Sequence, residues 1–205
     1  MPKTIDYYFT VTSPWSYLGD ARLRAMAGRH GWRINHKPVD MGEVFAVSGG
    51  LPLAKRPPQR VAYRMMELKR WRARLGVPLT LEPAFFPAVD KMARRLILAA
   101  QHDGLDAQRL GDLVHAFMRT VWVDEKDIAD PATLTAVLDG MGLDSAHLLA
   151  RADSTDIDSV DRANTEQAKR IGVFGAPTYV IGDELFWGQD RLDFVEEKVS
   201  AQDHG

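Results

Sequence analysis

The 205-residue sequence contains no cysteine. That absence removes disulfides, thiolate zinc sites and any thiol nucleophile of the protein's own. It also excludes a dithiol oxidoreductase. No apolar run approaches the ~20 residues that span a bilayer. The opening Met1-Pro2-Lys3-Thr4 leads into a strand-like segment without the apolar region of a signal peptide, so a cytoplasmic location is expected. A formal net charge of −2 exerts no overall pull toward nucleic acid or an anionic membrane surface. The histidines, His30, His36, His102, His115, His147 and His204, show neither i, i+4 pairing nor an HExxH pattern, so no metal site is expected. Internal repeats and low-complexity tracts are lacking too.

What is present is an ordinary globular composition, 45% hydrophobic and 26% charged. The length suits one domain with a real core, or one with a sizeable insertion. Residues 4–11, rich in β-branched and aromatic types, read as a strand. Residues 14–30 read as a helix, with Ser13 at the N-cap, Pro14 at the first helical position and Gly31 past the end. Residues 32–39 read as a second strand, completing a βαβ unit.

From about 41 to 152 the periodicity turns helical. Helices are expected over 59–75, 90–103, 106–122, 131–140 and 143–151. Three prolines make 77–87 an irregular loop. The α/β character then returns. Residues 156–171 read as a helix, and 177–181 and 184–187 as strands joined by a Gly182-Asp183 hairpin turn. Residues 190–199 read as the last helix. With the helical block removed, the order is that of thioredoxin. The expected fold class is therefore α/β, a thioredoxin-like domain (1–40 and 153–205) with a large all-helical insertion (41–152).

Three short stretches sit where such a fold carries its chemistry. "SPWS" opens the first helix, at the place and spacing where proteins of the thioredoxin fold carry Cys-x-x-Cys. Ser13 reads as a cap or as a group facing a ligand, and Ser16 as structural. Serine needs an adjacent base to act as a nucleophile, and none is near in sequence. "GAPT" places Pro177 at a strand entry, where its missing N–H costs no ladder bond. In the thioredoxin fold this proline is cis, and the backbone before it can pair with an extended peptide. "GQDR" opens the last helix, where Asp190 or Gln189 could cap it, or Asp190 could receive a ligand ammonium group.

In order, "SPWSYL", "GVFGAPT" and "FWGQDRLDF" resemble the 2-hydroxychromene-2-carboxylate isomerase family, which groups with kappa-class glutathione transferases in the DsbA-like branch of the thioredoxin superfamily. The middle stretch "LPLAKRPPQRVAYRMMELKRWRARLGVPL" is similar to that family's helical domain with less specificity. The resemblance implies glutathione as cofactor and a small anionic aromatic substrate. It implies that Ser13 faces the glutathione sulfur and that the backbone at Ala176, before Pro177, pairs with the cysteinyl unit. It implies that Gln189 and Asp190 hold the γ-glutamyl end, with Gln189 standing where the isomerases carry Asn. Lys55 and Arg60 are both candidates for a further glutathione contact. The implied reaction interconverts 2-hydroxychromene-2-carboxylate and trans-o-hydroxybenzylidenepyruvate, or related compounds, by reversible thiolate addition. A kappa-type transferase or peroxidase and a non-catalytic thioredoxin-fold module are the rival readings. A homodimer is compatible with each.

Lys55, Arg56, Arg60, Arg64, Lys69, Arg70, Arg72 and Arg74 face only Glu67 among acids. The stretch reads as a solvated helix face or as a field attracting anionic ligands. No groove-reading motif accompanies it that would suggest nucleic acid. Tyr63, Met65, Met66 and Trp71 on the same helix read as core packing.

Overall fold

The computed structural model describes residues 3–203; Met1, Pro2, His204 and Gly205, and with them the outer ends of the expected thioredoxin segments, lie outside the described residues. Strand β1 (Thr4–Phe9) is followed by helix α1 (Pro14–His30) and strand β2 (Arg33–Pro38). Helices α2 (Met41–Ser48), α3 (Pro58–Leu75), α4 (Lys91–His102), α5 (Ala107–Trp122), α6 (Pro131–Gly140), α7 (Ser145–Ala152) and α8 (Thr155–Ile171) come next. The chain closes with β3 (Thr178–Ile181), β4 (Glu184–Trp187), a 3-10 turn (Gln189–Arg191) and α9 (Leu192–Asp203). The fold is a thioredoxin-like α/β arrangement with a helix-rich stretch between β2 and β3. Among the described residues no strand lies between Pro38 and Thr178.

The four strands form one mixed sheet in the order β2-β1-β3-β4. β1 runs parallel to β2 and antiparallel to β3, and β3 pairs antiparallel with β4. Helix α1, the crossover between the parallel strands β1 and β2, packs on one face of the sheet together with α9. That face carries Tyr7, Phe9, Tyr179 and Phe186, packed with Leu23 of α1 and Val195 of α9 in the main core. The opposite face buries Tyr8 and Val180 against Val44 of α2 and Ala168 of α8. The main core continues into the helices through Leu96, Phe117 and Trp122, so sheet and helices share one apolar interior.

Element ends differ from the sequence expectation in informative ways. β1 stops at Phe9 rather than at residue 11. The Ser13 amide donates to the Thr10 carbonyl (3.1 Å) and the Thr12 amide to Thr10 Oγ1 (3.2 Å), which turns the chain out of the sheet early. β3 begins at Thr178 because Pro177 has no N–H for the ladder. Tyr63 and Met66 do not pack in the core; both stay about half exposed. α3 fully buries only Leu68, so the helix lies on the surface and its flanks face solvent.

Candidate active site

The site forms at the C-terminal end of β1. Ser13 has extended backbone angles and caps α1: the Ser16 N–H donates to its Oγ at 3.2 Å. The same hydroxyl donates to the Ala176 carbonyl at 3.1 Å. One buried side chain therefore joins the start of α1 to the loop before β3. Pro14 removes one N–H from the first turn, and that turn carries no acidic residue. The Trp15 N–H points out of the helix start without an intrahelical acceptor, next to the positive end of the helix dipole.

The Ala176–Pro177 bond is cis. Thr178 Oγ1 donates to the Gly175 carbonyl (2.8 Å), and the Gly188 N–H to the Pro177 carbonyl (2.9 Å). These bonds fix the proline loop between β3 and the turn after β4. The Ala176 N–H has no partner among the described residues. Half-buried Ala176 thus presents an unpaired amide beside the hydroxyl of Ser13.

The Gly188–Arg191 segment packs on α1. Gly188 has φ 103°, and any side chain there would collide with the Asp190 carboxylate. At Gly19 of α1 an added Cβ would lie 2.8 Å from Gln189 Cβ and from Tyr179 Oη, so only glycine admits this approach. Gln189 is 2% exposed, and its Oε1 and backbone carbonyl accept from Arg22 (3.1 and 3.3 Å). Asp190 does not cap α9, which begins two residues later. Its carboxylate is 44% exposed and pairs with the neighbouring Arg191 at 2.9 Å. Of the sequence candidates, Ser13, Ala176 and Pro177 share one loop-to-helix contact. Gln189 and Asp190 join them through Gly188. Lys55 and Arg60 are exposed around the start of α3 and, among the described residues, make no hydrogen bond or ion pair with this group.

Two buried polar groups brace the site without having stood out in the sequence. Arg94 of α4 is 4% exposed and binds Asp90 (2.7 Å), Asp161 (3.1 and 3.2 Å) and Asp40 (3.3 Å). Asp90 in turn accepts from Thr10 Oγ1, just after β1. The arginine is held well above its ordinary pKa by these carboxylates against its own burial, and burial pushes Asp90 up. Beneath α1, fully buried Asp20 pairs with His115 Nδ1 of α5 at 2.8 Å. The sequence signals were an i, i+4 Asp-Arg pair inside "DKMARRLILAA" and an acid inside the apolar face of α1. A charged residue at a position the periodicity assigns to the core needs a buried partner.

The DSBA-like thioredoxin domain family matches residues 4–200. Over 197 residues the chain is 35% identical to a 2-hydroxychromene-2-carboxylate isomerase of Sphingobium xenophagum, covering 96% of this chain and 97% of that protein. It is 24% identical over 207 residues to glutathione S-transferase kappa 1 of Rattus norvegicus, covering 95% and 89%. A solved 2-hydroxychromene-2-carboxylate isomerase superposes with a TM-score of 0.83 at 25% identity, covering 97% of this chain and 95% of that one. With Ser13, the cis Ala176–Pro177 bond and the Gly188–Arg191 turn knit into one site, the chain belongs to the 2-hydroxychromene-2-carboxylate isomerase family of DSBA-like thioredoxin domains.

Proposed function

We propose that the protein is a glutathione-dependent isomerase that interconverts 2-hydroxychromene-2-carboxylate and trans-o-hydroxybenzylidenepyruvate, or a closely related conjugated carboxylate. The observation that carries the reading is the Ser13–Ala176 contact. A hydroxyl at a helix N-terminus stands beside an unpaired backbone amide, in a chain without any thiol. When bound, glutathione supplies the missing thiol for reversible addition to a conjugated carbonyl.

The residues suit that guest. The Ala176 N–H is available to pair with the cysteinyl carbonyl of a peptide laid along the proline loop. Asp190 offers an exposed carboxylate for the γ-glutamyl ammonium. Gln189 acts from below: buried on Gly19 and Arg22, it fixes the turn that presents Asp190. Lys55 or Arg60 can add a contact to the glycine carboxylate. Ser13 is the catalytic residue. Its proton, held by the Ala176 carbonyl in this structure, turns to the sulfur, where a charge-assisted bond and the α1 dipole lower the thiol pKa. The Ser16 N–H keeps the serine oxygen in place during that rotation.

The test is to titrate glutathione into the protein and then add 2-hydroxychromene-2-carboxylate. Binding is expected, with product formed only in its presence. Release of a glutathione conjugate would make the protein a transferase. Absence of glutathione binding would leave a non-catalytic module.

A further inference from the structure

The arginines of this chain are mostly paired. Arg22 meets Asp193, Arg24 meets Asp112, Arg94 meets three aspartates, and Arg151 meets Asp103 and Asp156. Arg33, Arg72, Arg74, Arg109 and Arg170 meet no carboxylate among the described residues, and neither do Arg56, Arg60 and Arg64, which are distinguished by standing together. These last three recur every four residues around the start of α3. Arg56 donates from Nε to the Leu51 carbonyl at 2.7 Å, which holds its guanidinium near the helix start.

Arg64 is half-buried, and its guanidinium lies over the Phe86 ring at 5.6 Å. Phe86 packs on the Trp122 ring at 4.9 Å. Trp122 is fully buried, and its Nε1–H donates to the Val11 carbonyl at 3.3 Å. Val11 precedes Ser13 by two residues. A continuous chain of contacts thus runs from Arg64 to the loop that carries Ser13. Burial and the charge of Arg56 pull the Arg64 pKa down to about 10, so it stays protonated at neutral pH. A partly dehydrated cation facing like charges is destabilising unless an anion joins it.

We propose that Arg64, flanked by Arg56 and Arg60, is the carboxylate-binding subsite for an aromatic acid substrate. The inference rests on the reading of Ser13 as the reacting end of the site. A guanidinium over an aromatic ring, with no acid on it, leaves N–H groups available for a bidentate carboxylate. Phe86 and half-exposed Phe85 offer apolar surface for a planar ligand beside those groups. The substrate's carboxylate fits Arg64 better than the glycine carboxylate of glutathione does, because a flat acid contacts ring and guanidinium together. The exposed Arg60 and Lys55 suit the flexible peptide end.

The experiment uses trans-2-hydroxycinnamate, a planar aromatic acid, and its uncharged amide, each titrated calorimetrically into the glutathione-free protein. Wild type is expected to bind the acid more tightly than the amide. Arg64→Gln is expected to weaken acid binding roughly ten- to a hundred-fold and leave the amide unchanged. Arg64→Lys, which keeps the charge but not the planar fork, falls between them. Glutathione affinity is measured on the same proteins and is expected to be unaffected. Equal binding of the acid by wild type and both variants, or of acid and amide by wild type, overturns the proposal in favour of a solvated helix face. Loss of glutathione affinity in Arg64→Gln with acid binding intact also overturns it and assigns the arginine to glutathione. If wild type binds the acid but no glutathione, the functional reading fails while the subsite stands.

Discussion

Replacing Ser13 with alanine removes two hydrogen bonds that the structure resolves, one from the Ser16 amide and one to the Ala176 carbonyl. Loss of the cap costs about 1 kcal/mol, and the lost tie to the proline loop about another. For a domain of this size each kcal/mol lowers Tm by about 2–4 °C, so a fall of about 4–8 °C is expected. The chemistry suffers separately. A hydrogen bond to a charged sulfur is worth about 1.5–3 kcal/mol, which slows turnover roughly ten- to a hundred-fold. The same loss raises the pKa of bound glutathione by about one to two units. Glutathione affinity at a pH where the thiol is protonated is expected to hold, because Ala176 and Asp190 remain. Tm, kcat, glutathione Kd and the ultraviolet titration of the bound thiol are measured on one preparation. A lowered Tm with unchanged kcat and unchanged thiol pKa would refute the catalytic role and leave Ser13 as a cap.

Asp190→Asn is expected to weaken glutathione binding roughly tenfold by calorimetry, from loss of one charge-assisted contact. An analogue lacking the α-amino group should not distinguish the variant from wild type; if it does, the ammonium assignment fails. Arg94→Ala leaves Asp90 and Asp161 buried without their cation, and a loss of about 3–5 kcal/mol is expected from urea unfolding. A loss below about 1 kcal/mol would show that the network does not brace the site. His36 is buried among Tyr7 and Phe9, and burial pulls its pKa from 6.5 to about 4. The unfolded chain therefore binds a proton between those pH values that the folded chain refuses. Its contribution is fully present above pH 6.5 and is lost as pH falls to about 4, by up to about 3 kcal/mol. His36→Phe should remove that part of the acid slope in urea midpoints; an unaltered slope contradicts the assignment.

Much of the fold was legible because its signals are local. Pro14, Gly31, Gly76, Asp130-Pro131 and Gly172 punctuate helices where the structure ends or begins them. The hairpin at Gly182-Asp183 follows from turn chemistry. What escaped is non-local. The early end of β1 depends on the Thr10 hydroxyl and carbonyl, which accept from the Thr12 and Ser13 amides, although a threonine there could equally have stayed in a strand. The exposure of Tyr63 and Met66 depends on how little of α3 the rest of the molecule covers. Asp190 looked like a cap, yet the 3-10 turn holds it two residues short of the start of α9 and leaves its carboxylate facing solvent. The burial of Gln189 on α1 depends on the glycine at position 19, far away in sequence. The Arg94 network joins residues up to 121 positions apart, from Asp40 to Asp161, so no window of sequence contains it.

The proposed function makes glutathione a cofactor that the protein neither owns nor consumes. The most direct measurement is conversion of 2-hydroxychromene-2-carboxylate with glutathione held far below the substrate concentration, with both compounds followed by NMR. The proposed function predicts conversion to equilibrium, many turnovers per glutathione, full recovery of the free thiol and no enzymatic conversion when glutathione is omitted. Conversion without glutathione, or conversion that halts after one glutathione equivalent with a conjugate accumulating, would contradict it.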